Sequence, residues 1–457
     1  MTDTVYDMVI LGAGSGGYAA ALRGAQLGLR VALIEADKIG GTCLHRGCVP
    51  TKAILHSAET AEAVREAASV GVNAVFQGLD MPAVQKYKNG VVSRMHKGLE
   101  GLVASRGIEV VRGWGRLVAR DTVEVNGRRY RGRNIVLASG SFSKTIGQEI
   151  SGPVMTSDQA LELDRVPSSA VILGGGVIGV EFASAWASMG SRVTIIEGLP
   201  RLVPNEDEAV SKQLERAFRK RKIAFKTNTM FESVERTATG VTVRTADSKT
   251  YDAEVLLIAV GRGPATANLG YEEAGVAMDR GFVLTDDYGR TNVDGVWAVG
   301  DIVPGVQLAH RGFAQGIVVA EKIAGLDPRP VDDMLVPKVT FCEPEIASVG
   351  LSEAQAIEIH GAEKVTTAEF NVAGNAKSQI LGTQGFVKLV SLKDGPVVGF
   401  HAIGTRMGEQ IGEGQLIVSW EADAHDVASL VHAHPTQNET IGEAAMALAG
   451  KPLHNHG

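Results

Sequence analysis

Cys43 and Cys48 are separated by four residues in the run from Gly40 to Lys52 (GGTCLHRGCVPTK), shortly after a glycine-rich turn. Two thiols this close can exchange electrons with a thiol substrate, provided one sulfur is open to attack and the other closes an internal bridge. On an ideal helix, positions five apart are rotated by about 500°, so the two side chains do not share a face. A bridge between them needs a distorted turn, which Gly47 and Pro50 favour. Two other readings stay open at this level. Cys43, His45 and Cys48 offer three metal ligands, although no fourth stands nearby and the spacing is not that of a zinc site. The pair could equally be small buried core residues, the reading preferred for the isolated Cys342. A dithiol substrate must also lose a proton before it attacks a disulfide. Histidine, which titrates near neutrality as a residue type, suits that task.

The elements that must position this pair are written twice. Met8 to Leu11 is a short apolar strand leading into Gly12-Ala13-Gly14-Ser15-Gly16-Gly17; an Ala- and Leu-rich helix follows, then the strand Val31 to Ile34 ending on Glu35. Gly12 permits a tight turn, Gly14 lets backbone approach a pyrophosphate, and Gly17 lets helix and strand pack closely. The helix N-terminus faces the phosphate charge, and Glu35 falls where a carboxylate would bind ribose hydroxyls. The pattern recurs in Ala170 to Leu173, Gly174-Gly175-Gly176-Val177-Ile178-Gly179, and Val193 to Ile196 ending on Glu197. Glu35 and Glu197 stand at the same distance from their first glycines. One such motif is weak evidence; two complete units predict two bound dinucleotides. Ile135 to Ser141 and Leu256 to Arg262 read as matched strands, each ending in glycine, late in each copy. The loops at Ile150 to Pro153 and Gly263-Pro264 suggest passages between domains.

Composition sets the outer limits. A chain of 457 residues exceeds a single core, so about two to four domains are expected. With 44% hydrophobic and 21% charged residues it reads as an ordinary globular protein. A net charge of −7 gives no reason to expect nucleic acid or an anionic membrane as partner. No apolar run approaches the roughly 18–20 residues that span a bilayer. The start, Met1-Thr2-Asp3 with a strand reached by Asp7, carries no targeting pattern, so the expected address is the cytoplasm, or else the sequence as given has lost a targeting segment. Three cysteines exclude a disulfide-held scaffold, which in a reducing compartment leaves a close pair more suited to catalysis or metal binding than to a structural role.

Throughout its length the chain resembles the flavoprotein disulfide reductases of the pyridine nucleotide-disulfide oxidoreductase family, and most closely their dihydrolipoamide dehydrogenase branch. Four blocks carry the resemblance: the first glycine motif with Glu35; Gly40 to Lys52; Thr291 to Asp301; and His432 to Glu439. It implies an α/β fold with two Rossmann-like dinucleotide-binding domains and a C-terminal α+β dimerisation domain. The implied boundaries are 1–149 for FAD, 150–270 for NAD, 271–337 as a central segment completing the FAD site, and 338–457 as the interface domain.

The resemblance also assigns roles. Cys43 would exchange with substrate and Cys48 would face the flavin. Lys52, paired with Glu181, would stabilise charge on the reduced ring. His434, oriented by Glu439, would be the base, acting across a dimer interface on the partner's cysteines; His432 is not the matching position, and Asn438 stands where serine is usual. FAD would lie against Gly12, Gly14, Ser15, Gly16, Gly17, Glu35, Gly41, Thr42 and Lys52. Gly115, Ser139 and Gly140 would add to that site, as would Gly300, Asp301, Gln307, Leu308, Ala309 and His310. NAD would meet Gly174, Gly176, Val177, Ile178, Gly179, Glu181, Glu197, Val234 and Gly261. No metal is expected.

The implied reaction is oxidation of dihydrolipoamide to lipoamide with reduction of NAD. The implied partners are a second copy of the chain and a lipoyl-bearing acyltransferase or glycine-cleavage carrier protein. Alternatives are another FAD-dependent disulfide or mercuric-type reductase using NAD(P)H, or a redox-inactive nucleotide-binding subunit. Glu197 disfavours the glutathione reductases, which carry arginines there, and the C-terminus lacks the cysteine pair of mercuric reductases. The joint presence of Cys43, Cys48, Lys52, His434 and Glu439 argues against a structural subunit. Glu197 would also repel a 2′-phosphate, so NAD is favoured over NADP, with nearby Arg201 as the opposing feature.

Overall fold

The computed structural model describes residues 5–454 and contains three principal sheets. In the first, the strands Glu109–Arg112, Val31–Glu35, Val5–Leu11 and Arg128–Leu137 run parallel in that order. Val296–Ala298 joins the last of them in parallel register from far along the chain, with Val296 opposite Ile135. In the second, Ala224–Lys226, Arg192–Ile196, Ser169–Leu173, Val255–Ile258 and Val154–Met155 are likewise parallel. Both sets of central strands are continuous apolar runs because both faces are covered: helices pack on one face, and β-strands and the segments that follow them pack on the other. Met8, Val9, Ile10, Ile135 and Ile172 are fully buried.

The third sheet is antiparallel, in the order Lys338–Thr340, Glu345–Gly350, Val397–Gly404, Phe386–Leu392, Val365–Asn371. It packs against the helices Met407–Ser419 and Glu439–Leu448, whose Met407, Ile441 and Ala444 enter its core. The two crossings between nucleotide units, Ser141–Ser143 and Arg262–Pro264, pair as a short antiparallel ribbon.

One core holds the pieces in register. Ile54, Leu55 and Ala58, from the helix that begins at Cys48, pack with Val180, Phe182 and Trp186 of the second unit and with Cys342, Ile346 and Ile403 of the third sheet. Cys342 is 2% exposed, the core position read from sequence. A buried ion pair adds a polar lock between the last two units: Lys388 Nζ lies 2.9 Å from Asp207 Oδ1 and 2.7 Å from Glu353 Oε2. Burial pushes the Asp207 carboxyl up, but Lys388, His401 and the Glu353 N–H together hold it below its ordinary value. Truncating one partner leaves the other charge buried and unpaired, at a cost of about 3–5 kcal/mol. Lys388→Ala is therefore expected to lower the thermal unfolding midpoint clearly, while the exposed-pair control Lys249→Ala leaves it unchanged.

Candidate active site

The sulfur-bearing segment is built directly on the first glycine turn. Gly40 N–H donates to the Ala13 carbonyl at 2.8 Å. Gly41 has φ +60°, and a Cβ there would lie 2.6 Å from the Gly14 Cα, so only glycine allows this approach. Cys43 sits in the short helix Gly41–Arg46, and Cys48 opens the helix Cys48–Glu66. Between them Gly47, at φ −142° and ψ −117°, breaks the helical path. A Cβ on Gly47 would stand 3.0 Å from the Thr42 carbonyl oxygen and 3.2 Å from the Cys43 Cα. This is the distorted turn the spacing demanded. The two thiols are free and lie close together across this turn. His45 instead turns its Nε2 to the Ile39 carbonyl at 2.9 Å, a bond shared with His96 Nδ1 at 3.1 Å.

The two sulfurs differ in acidity. The neighbouring Cys43 thiol pulls the Cys48 thiol down to about 7; burial opposes this and the Lys52 charge reinforces it. Cys48 in turn, together with burial, pushes Cys43 well up. In the dithiol state Cys48 is therefore the more acidic of the two. Lys52 lies one turn further along the same helix, with Nζ 2.8 Å from each oxygen of Glu181. Glu181 is 3% exposed and also accepts the Phe341 N–H at 2.9 Å, and Lys52 Nζ lies 4.7 Å from the Phe341 ring centroid. Phe341, which is not among the site residues expected from the sequence, fixes this pair.

The two glycine turns are near-copies. Gly12 and Gly174 have φ +105° and +102°, and a Cβ on either would strike the carbonyl oxygens of Ala138 and Ala259 at 2.2 and 2.4 Å. Cβ atoms on Gly17 and Gly179 would lie 1.8 and 1.9 Å from the first glycine's carbonyl oxygen. By contrast, nothing stands within 4 Å of a Cβ on Gly14, Gly176, Gly140 or Gly261. Each turn thus has packed glycines beneath and an open one above, the shape a pyrophosphate needs. Glu35 accepts the N–H groups of Ala13 and Asp37, both at 2.8 Å, and Glu197 accepts those of Gly175 at 2.5 Å and Leu199 at 2.7 Å. Both carboxylates are aimed from the second strand across the turn. The residues present fit two dinucleotides.

Around the first unit, Asp301 accepts a bond from Ser141 Oγ at 2.5 Å, and Arg262 Nε holds that serine at 2.8 Å. Gly300 N–H donates to Gln315 at 2.8 Å, and Gln307 Nε2 to the Asp301 carbonyl at 3.2 Å. Leu308 precedes the helix Ala309–Ile323, where Gly312 and Gly316 press against Ser15 and Gly16. His310 Nε2 bonds the Pro337 carbonyl at 2.7 Å, and Ser139 accepts from the buried Tyr271 at 2.9 Å. Gly115 is a packing position, with its Cβ site 2.6 Å from Leu11 Cδ1. In the second unit, Val177 and Ile178 open the helix Val177–Met189. Val234 pairs with Val243 in the three-stranded sheet Phe231–Thr237, Gly240–Thr245, Thr250–Ala253, and packs into its core. Met230 instead reaches Glu197's end of the turn, its sulfur 2.8 Å from a Cβ on Gly198.

On the C-terminal unit, His434 Nδ1 meets Glu439 Oε1 at 2.8 Å, and the Thr436 N–H donates to Oε2 at 2.8 Å. Glu439 opens the helix Glu439–Leu448. The His434 side chain is 70% exposed, so its ring faces outward from this chain.

Fold and site define an oxidoreductase that couples a dithiol to two nucleotide sites. Residues 6–316 match the model of the pyridine nucleotide-disulphide oxidoreductases, and residues 336–445 match that of their dimerisation domain. The chain belongs to this family: it is a flavoprotein oxidoreductase using FAD and NAD, and it forms a homodimer. It is 37% identical to a dihydrolipoyl dehydrogenase of Bacillus subtilis (strain 168), with 99% of each chain covered. It is 38% identical to that of Geobacillus stearothermophilus, covering 98% of this chain and 97% of the relative. Among solved structures, LpdA of Mycobacterium tuberculosis superposes with TM-score 0.90 at 26% identity, covering 96% of this chain and 99% of that one. The HOCl-induced flavoprotein disulfide reductase RclA of Escherichia coli gives 0.86 at 28%, with the same coverage. Among the described residues no helix is long and apolar enough to cross a membrane.

Proposed function

We propose that this chain oxidises dihydrolipoyl groups to lipoyl groups and passes the two electrons to NAD. The observation that carries the reading is the placement of Cys43 and Cys48 on either side of the break at Gly47, built on the first glycine turn, with the Lys52–Glu181 ion pair one turn further along the second helix. In the oxidised enzyme Cys43 and Cys48 form a disulfide. His434 takes a proton from one substrate thiol, and the resulting thiolate attacks the Cys43 sulfur, so that Cys48 leaves as a thiolate. The second substrate thiol, deprotonated in turn, displaces Cys43 from the mixed disulfide. Substrate departs as the cyclic disulfide, and the enzyme holds the dithiol. FAD, when bound, supplies the two-electron relay from this dithiol to the nicotinamide, which restores the Cys43–Cys48 bridge and yields NADH. Lys52 balances negative charge at that relay, and Glu181 keeps its ammonium in place. Gly12, Gly14, Gly17, Glu35 and Asp301 would hold FAD; Gly174, Gly176, Gly179 and Glu197 would hold NAD.

The proposal extends to a site shared across the dimer, because His434 faces outward on the dimerisation unit. It extends also to a lipoyl-bearing acyltransferase or carrier protein as donor, to the cytoplasm as compartment, and to the domain boundaries drawn above. Anaerobic titration with dihydrolipoamide, followed in the flavin spectrum, tests it. A long-wavelength band at two-electron reduction is expected, followed by NADH formation on adding NAD. A flavin that never responds to dihydrolipoamide would refute the reading.

Nucleotide choice follows from the second unit. Glu197, which accepts the Gly175 and Leu199 N–H groups, would repel a 2′-phosphate, and Arg201 Nη2 is committed to the carbonyls of Pro204 at 2.8 Å and Glu206 at 3.2 Å. NADP is expected to support less than about a tenth of the NAD rate, the scale of a 1.4 kcal/mol discrimination. Equal steady-state rates with the two nucleotides would contradict this.

A further inference from the structure

Two positions before the proposed base, a second histidine makes its own carboxylate pair. His432 Nε2 lies 2.7 Å from Glu413 Oε1, and Asn438 Nδ2 donates to Glu413 Oε2 at 2.7 Å. Glu413 belongs to the helix Met407–Ser419. One carboxylate on a neighbouring helix thus grips both ends of the segment that carries His434. The grip is sheltered: the His432 and Glu413 side chains are 13% and 23% exposed, against 70% for His434. The His432 ring lies on the helix Glu439–Leu448, since a Cβ on Gly442 would fall 2.7 Å from its Nδ1.

We propose that Glu413, holding His432 with one oxygen and Asn438 with the other, is a clamp that positions the His434 segment for proton transfer. This rests on the functional reading above. His432 touches no reacting atom; it acts through His434, as a positioning residue. The Asn438 that replaces the usual serine has the reach to make the second grip.

Charge tightens the clamp. Glu413 raises the His432 pKa above its ordinary value against the opposing effect of burial, with Glu439 and the Leu430 carbonyl adding to the rise. Burial pushes Glu413 up, yet His432 and Asn438 bring it below its ordinary value. The charged groups facing His432 are therefore Glu413 on one helix and Glu439 on the other. A raised histidine contributes fully below its ordinary pKa and loses that contribution as pH rises through the raised value. The clamp should loosen on the alkaline side, as the imidazolium gives up one of its two N–H donors.

The experiment compares wild type, His432→Gln, Glu413→Gln and the double variant as full-length, FAD-loaded dimers. For each, kcat and KM for dihydrolipoamide are measured across pH. NADH oxidation by a one-electron acceptor, which needs no base at position 434, is measured alongside. Glutamine at 432 keeps an N–H for Glu413 but carries no charge. Each single variant is expected to lose about tenfold in kcat, the scale of a base held slightly out of place. KM and the acceptor rate should hold, and the alkaline fall in kcat should flatten in His432→Gln. The double variant should lose no more than either single, because the residues act as one unit. Amide exchange over 432–438 should quicken in both singles. Wild-type kcat and pH profile in the singles, losses that multiply in the double, or unchanged exchange would overturn the clamp. A wild type inert toward dihydrolipoamide would instead sink the functional reading, and the exchange rates would still judge the clamp.

Discussion

Cys48→Ser is expected to abolish dihydrolipoamide oxidation while leaving a folded, FAD-binding protein that NADH can still reduce. The proposed exchange needs a disulfide sulfur as electrophile, and without Cys48 the Cys43 thiol has no partner with which to form one. A serine hydroxyl cannot substitute, because it forms no bridge and leaves no thiolate beside Lys52. Cys342, the remaining thiol, is buried with its Sγ 3.1 Å from the Pro344 carbonyl, and so offers no alternative. The nucleotide half does not depend on this sulfur. The cradles at Gly14 and Gly176 are made by backbone, and Lys52 keeps Glu181 in the variant. Stopped-flow reduction by NADH should therefore proceed, whereas dihydrolipoamide should leave the flavin spectrum unchanged. If the variant kept lipoamide turnover, electrons would be travelling by a path that avoids the pair.

The same pair shows why some of this molecule was readable from sequence. Gly12, Gly17, Gly174 and Gly179 are positions where any side chain would strike backbone, and that steric demand is local, so it is written as a residue type at a fixed spacing. The break at Gly47 is legible for the same reason. Contacts made over long separations leave no local trace. Lys52 and Glu181 are 129 residues apart, and without the family resemblance each reads as an ordinary surface or first-turn charge. Phe341, which accepts Lys52 over its ring and donates its N–H to Glu181, is not marked by anything in its local run as a partner of either. The antiparallel ribbon at Ser141–Ser143 and Arg262–Pro264 shows the intermediate case. The passage at Gly263-Pro264 is marked by glycine and proline, but its partner strand Ser141–Ser143 precedes the Ile150 to Pro153 loop read as the other passage, and the pairing depends on how the two units meet. In the second unit, Val234, which the resemblance assigns to the NAD site, lies in a strand and packs against a core, and Met230 is the side chain that approaches Glu197's turn. Periodicity places a residue on a face; it does not say which end of the strand reaches the site.

His434→Gln is expected to slow dihydrolipoamide oxidation by at least the roughly 10²-fold typical of a lost acid–base group. The substrate's two thiols must shed protons in sequence, and a glutamine amide can accept neither. The dyad geometry argues that the loss is chemical rather than structural. Glu439 divides its oxygens between His434 Nδ1 and the Thr436 N–H, so the carboxylate stays anchored to the loop when the imidazole is gone. Burial pushes the Glu439 carboxyl up, but the Thr436 N–H, with His434 and Asn375, holds it below its ordinary value. A depressed carboxylate contributes stability above its ordinary pKa and loses it as pH falls through the lowered value. Near neutral pH it is therefore present as the anion that orients the ring and supports its protonated form, as in other His–carboxylate pairs. Because the ring is exposed on its own chain, the defect should be complemented across subunits. Mixing His434→Gln with Cys48→Ser should yield heterodimers in which one of the two sites pairs intact cysteines with an intact base. Recovery of activity on mixing, approaching half the wild-type rate per heterodimer, would establish the shared site; its absence after verified subunit exchange would place base and disulfide in the same chain.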